Sequence, residues 1–509
     1  MSSVIGRVAK NTGWLYAKMA VTVFVTLWTT RLVLNSLGES DYGIFNLVGG
    51  AIGMLGFLNA ALATATQRFM SYSEGEGDEE RKKTVFNVGV VLHLVIAAVA
   101  AVLLILFGIL FFKELFQIPE GRTFAAKIVY GSLVVSTVFS VMTVPYDALL
   151  NAHENMRYFA VVGILESALK LAVAFICVKC SSDKLIVYGV LMAVIPLITL
   201  SIMRLYCKRH YSECVFRPSE HYSSGTAREM AGFAGWYFVG CFSGLVGQNG
   251  LSVVANHFFS TVINAAMAVT TQLQGQLMAL STNMQKSVNP VIVKSEGCGE
   301  RDNMLLWSVR GCKYSYILLS FPAIPLLLEP EYFLTLWLKN VPEWTVILFI
   351  FQMIRSLVEM LTISFNTSLS AVGEVKEFNI QTAVLRFAPL VVLWFMFKAG
   401  FKPYWVYLIM IIVVVVEGIL KLGLTKRYCS LSYRRFFRDL FIPAMKVTAA
   451  MLVFGTIPLL LLGSGFLRFV LVILCSWTAL ALSLGFPGVL DPDEKDSVLS
   501  FLKKFSPSK

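Results

Sequence analysis

The chain has 509 residues, of which 57% are hydrophobic and only 15% are charged, and its mean hydropathy is +0.71. A soluble globule of this length needs more polar surface, so the composition excludes an ordinary soluble protein. The formal net charge of +12 comes from basic residues scattered over separate loops, which does not indicate a nucleic-acid partner. Membrane lipids must therefore cover part of the chain.

About fourteen apolar segments have the length needed to cross the roughly 30 Å hydrocarbon core of a bilayer. In chain order they are residues 12–37, 42–66, 85–112, 124–149, 158–179, 184–206, 230–255, 260–284, 305–328, 344–370, 378–398, 403–425, 440–462 and 466–487. The sequence therefore predicts an all-α polytopic membrane protein. The first apolar stretch is too long for a signal-peptide core, so we expect span one to be retained.

The chain repeats itself at a spacing of 222 residues: Gly13-Trp14 recurs as Gly235-Trp236, and Ser73-Glu74-Gly75-x-Gly77 recurs as Ser295-Glu296-Gly297-x-Gly299. Because six spans separate the copies, both enter the membrane from the same side, and the two six-helix lobes form a parallel repeat. The predicted organisation is an N-terminal lobe (1–206), a cytoplasmic linker (207–229), a C-terminal lobe (230–425), two C-terminal spans (426–487) and a cytoplasmic tail (488–509).

Lysine and arginine set the expected orientation. With the N-terminus in the cytoplasm, 28 basic residues fall in cytoplasmic connections and nine, Lys113 among them, fall in outer ones. We therefore expect both termini to be cytoplasmic.

Charged residues within the spans are the first candidates for a site, because a central arginine costs about 2.5–3.5 kcal/mol even on a lenient scale. Three pairs at i,i+4 spacing favour structural ion pairs: Glu166 with Lys170, Arg355 with Glu359, and Glu417 with Lys421. Arg31 has no acid in its own helix, so we expect it to face a polar cavity. The alternatives are a partner acid on another helix and extension of the side chain to the outer membrane surface. Arg386 is a second candidate.

Span eight adds a polar face. Gln272, Gln276 and Asn283 share one side at the helical period, and the segment ends at Lys286. Such a density of amides must face protein or water. Spans one, two, seven and eight contain no evident acid between their boundaries, so the two lobes are expected to enclose a net-cationic passage that suits an anionic cargo. The substrate-binding candidates are Arg31, Asn35, Arg68, Gln272, Gln276, Asn283, Lys286 and Arg386.

The sequence offers no chemistry typical of an enzyme. It lacks a phosphate-binding GxxxxGK[ST] loop, an HExxH motif and a convincing nucleophile-base-acid set, so we predict no catalytic residue and no cofactor. The nine cysteines are dispersed and predict no disulfide framework. Cys207, His210, Cys214 and His221 share one loop region, but their spacing matches no common zinc pattern, and we predict no metal site.

Several motifs resemble a known family over nearly the whole chain. They are the stretch from Asn11 to Ser71 with its RLVLNSLG-x-x-DYGIFN turn and ATQRFMS close, VPYDALLNAHENM around Pro145 to Met156, and EPEYFLTLWLKNVPEW before span ten. These strongly resemble bacterial polysaccharide-biosynthesis flippases of the Wzx type. That family shares a superfamily of multidrug, oligosaccharidyl-lipid and polysaccharide exporters with MATE multidrug exporters and the lipid II flippase.

The resemblance implies a bacterial inner-membrane protein with fourteen helices in two lobes. It implies alternating access that moves an undecaprenyl-pyrophosphate-linked oligosaccharide to the outer leaflet, with a polysaccharide polymerase and chain-length proteins as possible partners. Arg31 matches a position where such flippases are expected to hold a basic residue for the pyrophosphate. The correspondence for Lys286 and Arg386 is weaker, because the motif around them is less fixed.

Two other functions stay open from the sequence. A cation-coupled MATE-type multidrug exporter would usually carry an acid in span one or seven, which this chain lacks, although Glu166 or Glu359 offers a coupling acid. A membrane scaffold for glycan enzymes is the third function, but a scaffold does not need a pocket rich in polar groups.

Overall fold

The computed structural model describes residues 2–53, 56–110, 112, 118–119 and 121–496; Lys113 and the tail beyond residue 496 lie outside the described residues. The described residues form helices joined by short connections, which confirms the predicted all-α class. The helices are α1 Ser2–Gly53, α2 Gly56–Glu76, α3 Glu79–Leu110, α4 Thr123–Ala152, α5 Met156–Lys179, α6 Lys184–His210, α7 Pro218–His221, α8 Ser224–Gly297, α9 Arg301–Leu328, α10 Pro330–Leu338, α11 Thr345–Met360, α12 Phe365–Val372, α13 Lys376–Lys398, α14 Trp405–Cys429, α15 Tyr433–Phe436, the π-helical segment Phe437–Phe441, α16 Ile442–Leu461 and α17 Phe466–Leu484.

Within the described part of the chain, 11 helices are long and apolar enough to cross a membrane, or 12 if α11 and α12, bent by 42° at their break, form one span. The predicted count of fourteen is therefore not confirmed. The two segments that do not qualify are 42–66 and 260–284. The first is interrupted by residues 54 and 55, which the structure does not describe. The second is helical, but its glutamines and threonines lower its hydropathy.

The chain folds into two compact units. The N-terminal unit is Asn11–Cys241, and the C-terminal unit runs from Phe242 onward together with the residues up to Lys10. In the N-terminal unit, α4 packs against α2, α3 and α6. In the C-terminal unit, α16 and α17 pack against each other and against α9, so the two spans beyond the repeat belong to its body. The lobe boundaries drawn from the sequence repeat stay a prediction.

The first two predicted spans are separated by a kink within α1. Gly38 breaks the helix with φ 78° and ψ 169°, a backbone conformation that a residue with a Cβ rarely adopts. Just beyond it, Asp41 pairs with Arg122, whose Nη1 also lies 2.7 Å from Oδ2 of Asp183. Burial alone would raise the pKa of Asp183, but hydrogen bonds from Arg122 hold it below its ordinary value. This ion triad fixes the starts of α4 and α6 beside the kink.

The local structure of the repeated polar loop recurs with its sequence. Gly77 and Gly299 close the two copies with φ values of 73° and 76°. In the first copy Glu74 accepts from Lys82 (Oε2 to Nζ, 2.8 Å), and in the second the equivalent Glu296 pairs with Arg301. Each acid therefore ties the end of one helix to the start of the next.

A helical turn at residues 492–496 places a carboxylate inside the C-terminal unit. Glu494 is only 2% exposed; it accepts from Lys313 Nζ at 2.6 Å and Tyr314 Oη at 2.7 Å, and Arg310 Nε lies 3.3 Å from it. Arg310 and Lys313 lie on α9 and are themselves buried. Glu494 therefore neutralises the buried Lys313, and it shares the charge of the buried Arg310 with Asp491 and Asp493.

We predict that Glu494→Ala lowers the free energy of unfolding by about 3–5 kcal/mol, because it leaves the buried Lys313 without its carboxylate and removes the acid nearest to Arg310. The measurement is chemical denaturation of the purified protein in detergent. Asp496→Ala is the matched control: it removes one exposed acid from the same turn and should change stability by less than about 0.5 kcal/mol. Equal losses in both variants would show that Glu494 does not stabilise the unit in this way.

Candidate functional site

The C-terminal unit contains a cavity of about 810 Å³, which is lined by residues of α8, α11, α13 and α14. A volume of this size suits a small molecule or a few sugar residues. Its lining combines apolar side chains with many amides, hydroxyls and charges. The polar lining residues are Gln248, Asn249, Ser252, Asn264, Thr271, Gln272, Gln274, Gln352, Arg355, Glu359, Arg386, Tyr407 and Glu417.

Three glycines on α8 allow α13 to approach closely at this cavity. Gly244, Gly247 and Gly250 recur every three residues and so lie on one side of the helix. A Cβ added at Gly247 would lie 3.1 Å from the backbone oxygen of Arg386, and one at Gly250 would lie 2.9 Å from Leu390. Small residues of this kind are the usual means of close helix contact in membranes. They fix the backbone from which the Arg386 side chain reaches the cavity.

Arg386 shares a carboxylate with a lysine. Its Nη2 lies 3.7 Å from Oε1 of Glu417, and Lys421 Nζ lies 3.0 Å from the same oxygen. Glu417 and Lys421 are almost fully buried, whereas about a third of the Arg386 side chain is exposed. The predicted i,i+4 pair of Glu417 and Lys421 is therefore formed, and it holds Glu417 more closely than Arg386 does.

Arg355 differs from the arrangement that its spacing predicts. The expected ion pair with Glu359 is wrong: among the described residues, no carboxylate lies within 4.0 Å of Arg355, and its Nη1 contacts the neutral Gln352 Oε1 at 3.4 Å. Its Nε is buried without a hydrogen-bond partner in the described chain. Arg355 and Glu359 both line the cavity. Each side chain therefore faces the open volume instead of pairing with the other across one helical turn.

The sequence-predicted residues divide between the two units. Arg386 and Gln272 line the same cavity. Gln276, Asn283 and Lys286 lie further along α8 and are not among the described residues that line it.

The other three candidates belong to the N-terminal unit. Arg31 and Asn35 are exposed on α1, one helical turn apart, and no described carboxylate lies within 4.0 Å of Arg31. Arg68 lies over the rings of Phe69 and Phe233, with its guanidinium carbon 4.5 and 5.3 Å from their centroids. A smaller cavity of about 230 Å³ in this unit is lined by Thr29, Thr30, Asn46, Ser167 and Lys170, among others.

The predicted pair of Glu166 and Lys170 is formed in the N-terminal unit, with Oε1 and Nζ 2.7 Å apart. Sequence reasoning assigned Arg355 to a structural ion pair, and it missed the cavity amides of α8 and α11, such as Gln248, Asn264 and Gln352. The three-residue glycine spacing on α8 was the available signal, because it marks a helix face that another helix approaches.

The cysteines and histidines near residue 210 do not converge on a metal site. Burial raises the pKa of the Cys214 thiol to about 12, so it stays protonated and is a poor ligand.

Among the described residues, Glu74, His153 and Glu213 lie close enough together to hold a metal ion. His153 Nε2 is only 2.5 Å from Glu213 Oε1, the separation of a direct hydrogen bond, and Lys82 already binds Glu74. Burial alone would raise the pKa of Glu213, but the bond to His153 holds it below its ordinary value. We interpret this group as an ion-pair network.

Solved structures of membrane transporters share this fold. A MOP superfamily transporter from Pyrococcus furiosus is 12% identical, with a TM-score of 0.71 over 83% of this chain and 95% of its own. An outward-facing MATE family multidrug resistance transporter of the MOP superfamily gives 12% identity and a TM-score of 0.72 over 83% and 95%. A MATE structure in the bent conformation, also 12% identical, covers 88% of this chain and 99% of its own with a TM-score of 0.70. The protein is thus a multi-pass membrane protein with a MATE-like fold.

The family is shown by sequence. The model for the family described as polysaccharide biosynthesis protein matches residues 8–296, more than half of the chain. The chain therefore belongs to the polysaccharide biosynthesis protein family, and its family and fold are those of membrane transporters. No curated protein matches the chain in sequence.

We predict that Gly247→Ala destabilises the C-terminal unit by about 1–3 kcal/mol, because the added Cβ meets a backbone oxygen of α13 that cannot rotate away. Gly275→Ala on the same helix meets nothing within 4 Å. It should be neutral or stabilising by up to about 1 kcal/mol, the usual gain in helix propensity. Thermal unfolding of both variants in detergent checks the difference, and similar melting temperatures would contradict the proposed role of the glycines.

Proposed function

We propose that the protein is a flippase that moves a polyprenyl-pyrophosphate-linked oligosaccharide, such as an O-antigen or capsule repeat unit, from the cytoplasmic to the outer leaflet of a bacterial inner membrane by alternating access. Family membership and fold support transport. The observation that carries the substrate class is the amide-rich cavity of the C-terminal unit, with Arg355 and Arg386 on its wall.

The two arginines suit a diphosphate. Guanidinium groups bind phosphate oxygens through paired, charge-assisted hydrogen bonds. Arg355 has no described carboxylate within 4.0 Å, and its buried Nε lacks a partner in the described chain, so an entering anion would complete its hydrogen bonding. Arg386 can turn from Glu417 to an anion without leaving that acid unpaired, because Lys421 lies nearer to it.

The amides suit the sugars. Each glutamine or asparagine offers two donors and an acceptor, which match the donor and acceptor character of sugar hydroxyls. Gln272, Gln274 and Gln352 provide such groups within the cavity. From the sequence we also propose sugar contacts for Gln276 and Asn283, and contacts with the anionic cargo for Arg31 and Lys286. Asn35 and Arg68 complete the proposed set on α1 and α2.

The multidrug-exporter alternative is not favoured. The family match is to polysaccharide biosynthesis proteins, and likeness to MATE structures at about 12% identity shows the fold alone. Glu359 and Glu417 bring acids into the cavity, which the sequence did not place there. Glu417 is neutralised by Lys421 and Glu166 by Lys170, whereas Glu359 lines the cavity with no described cation within 4.0 Å. The family match, and not the lack of an acid, therefore weighs against the drug exporter.

We expect Arg31→Ala, Arg355→Ala and Arg386→Ala each to lower surface-glycan export about 10- to 100-fold, since each removes charge-assisted hydrogen bonds worth about 1.5–3 kcal/mol. Export is measured by complementation of a flippase-deletion host at matched membrane levels. The matched control is Arg209→Gln, which removes an exposed charge at the end of α6 and should leave export unchanged. Full export by both single variants, Arg31→Ala and Arg386→Ala, would refute the diphosphate assignment.

We further expect flipping by the reconstituted protein to depend on the sign of the membrane potential. An anionic cargo is driven outward by an interior-negative potential, at about 2.3 kcal/mol per charge per 100 mV. Flipping of a fluorescent polyprenyl-diphosphate sugar in proteoliposomes with a potassium diffusion potential should accelerate for one sign and slow for the other. A rate indifferent to the sign would rule out electrical driving of the cycle.

A further inference from the structure

A second charged cavity of the C-terminal unit, of about 600 Å³, lies apart from the amide-rich cavity. It is lined by three arginines, Arg434, Arg435 and Arg438, together with Leu306, Ser432, Asp439 and Asp491. An adjoining cavity of about 750 Å³ shares Arg435 and Leu306 with it. The amide-rich cavity has none of these residues on its wall.

The protein neutralises these arginines only in part. Arg438 pairs with the adjacent Asp439 at 2.5 Å, but within the described chain neither Arg434 nor Arg435 has a carboxylate within 4.0 Å. Three guanidinium groups thus converge on one cavity with one close acid partner. Such a surplus favours an anionic ligand.

The position of the cavity indicates what kind of anion reaches it. The arginines lie in the first residues of the candidate span Tyr433–Leu461. The same stretch exposes large apolar side chains: Tyr433 is 43% exposed, Phe437 50% and Ile442 47%. Aromatic residues beside arginines at the start of a span are typical of the interface between hydrocarbon and headgroups. We therefore expect the cavity to open near lipid phosphates, on the side that the basic-residue bias predicts to be cytoplasmic.

We propose that this cavity binds the headgroup phosphate of an anionic phospholipid, with Arg434 and Arg435 as its main ligands. The exposed Phe437 and Ile442 side chains lie beside the acyl chains. The planar guanidinium groups bind phosphate oxygens bidentately. The surplus of positive charge gives the site a preference for a net negative headgroup, because the cation of a zwitterionic headgroup is repelled by the same arginines.

Asp491 adds a competitor from within the chain. Its carboxylate lines the cavity, and Arg310 Nη2 lies 3.8 Å from it. The residue begins the turn whose Glu494 is buried against Lys313. Lipid phosphate and the Asp491 carboxylate are therefore attracted by the same arginines, and the carboxylate repels the phosphate.

The test uses the full-length protein in nanodiscs of phosphatidylcholine with increasing phosphatidylglycerol. Native mass spectrometry counts retained phosphatidylglycerol, and a parallel titration with inorganic phosphate separates a lipid site from a general phosphate site. We expect the triple variant Arg434→Gln, Arg435→Gln, Arg438→Gln to bind phosphatidylglycerol on the order of 100-fold more weakly, as expected for three basic residues near anionic lipid.

The matched control removes three other exposed cations, Arg204→Gln, Lys208→Gln and Arg209→Gln at the end of α6, and should retain the lipid. Equal loss in both triples would overturn the proposal, since it would reduce binding to net charge. Retention that phosphatidylcholine matches, or saturation by inorganic phosphate alone, would also overturn it. Thermal unfolding in pure phosphatidylcholine confirms that each variant is folded, and the single variant Arg434→Gln replaces any triple that is not.

Removing the competitor should act in the opposite direction. Asp491→Asn keeps the backbone N–H that donates to Glu494 and removes one negative charge from the cavity. We expect it to tighten phosphatidylglycerol binding about fivefold. Weaker or unchanged binding would contradict the proposed competition between Asp491 and lipid phosphate.

Discussion

The cost of an uncompensated charge away from water governs this structure. An ion buried without a partner loses its hydration and regains it only through a counterion and hydrogen bonds. Glu494 pairs with the buried Arg310 and Lys313. Glu417 pairs with Lys421, and Glu166 pairs with Lys170. These pairs are structural, because in each the cation and the acid lie within hydrogen-bonding distance or close to it.

Cations that have no partner of opposite charge among the described residues support the proposed functions. Arg355 lies on the wall of the cavity, and its hydrogen-bond partner among the described residues is the neutral amide of Gln352. Water or a bound anion must supply what the described protein does not. Arg434 and Arg435 show the same deficit at the start of a candidate span, where we expect lipid phosphate to be the abundant anion. One physical rule thus separates the ion pairs that stabilise the helices from the cations for which we propose ligands.

Sequence patterns predicted what is local in the chain. The helices, the break at Gly38 and the pairs Glu166–Lys170 and Glu417–Lys421 follow from hydropathy, glycine and one-turn spacing. Spacing permits a pair but does not require one, and Arg355 and Glu359 lie at the same spacing without forming it. The network of Glu494 joins residues about 180 positions apart, which no local pattern could reveal. Polar span eight shows the same limit, since the amides that indicate a site also weaken its signal as a span.

The acids near the ligand-binding arginines have a consequence for turnover under the proposed function. A carrier must bind its cargo well enough to load it and weakly enough to release it. Two arginines with no competing acid would hold a diphosphate tightly at every stage. Glu417, kept in place by Lys421 at 3.0 Å, stands 3.7 Å from Arg386 and offers that arginine an alternative partner. When the diphosphate leaves, Arg386 returns to Glu417 instead of remaining unpaired, so the acid lowers the cost of release without adding a net negative charge to the loaded site.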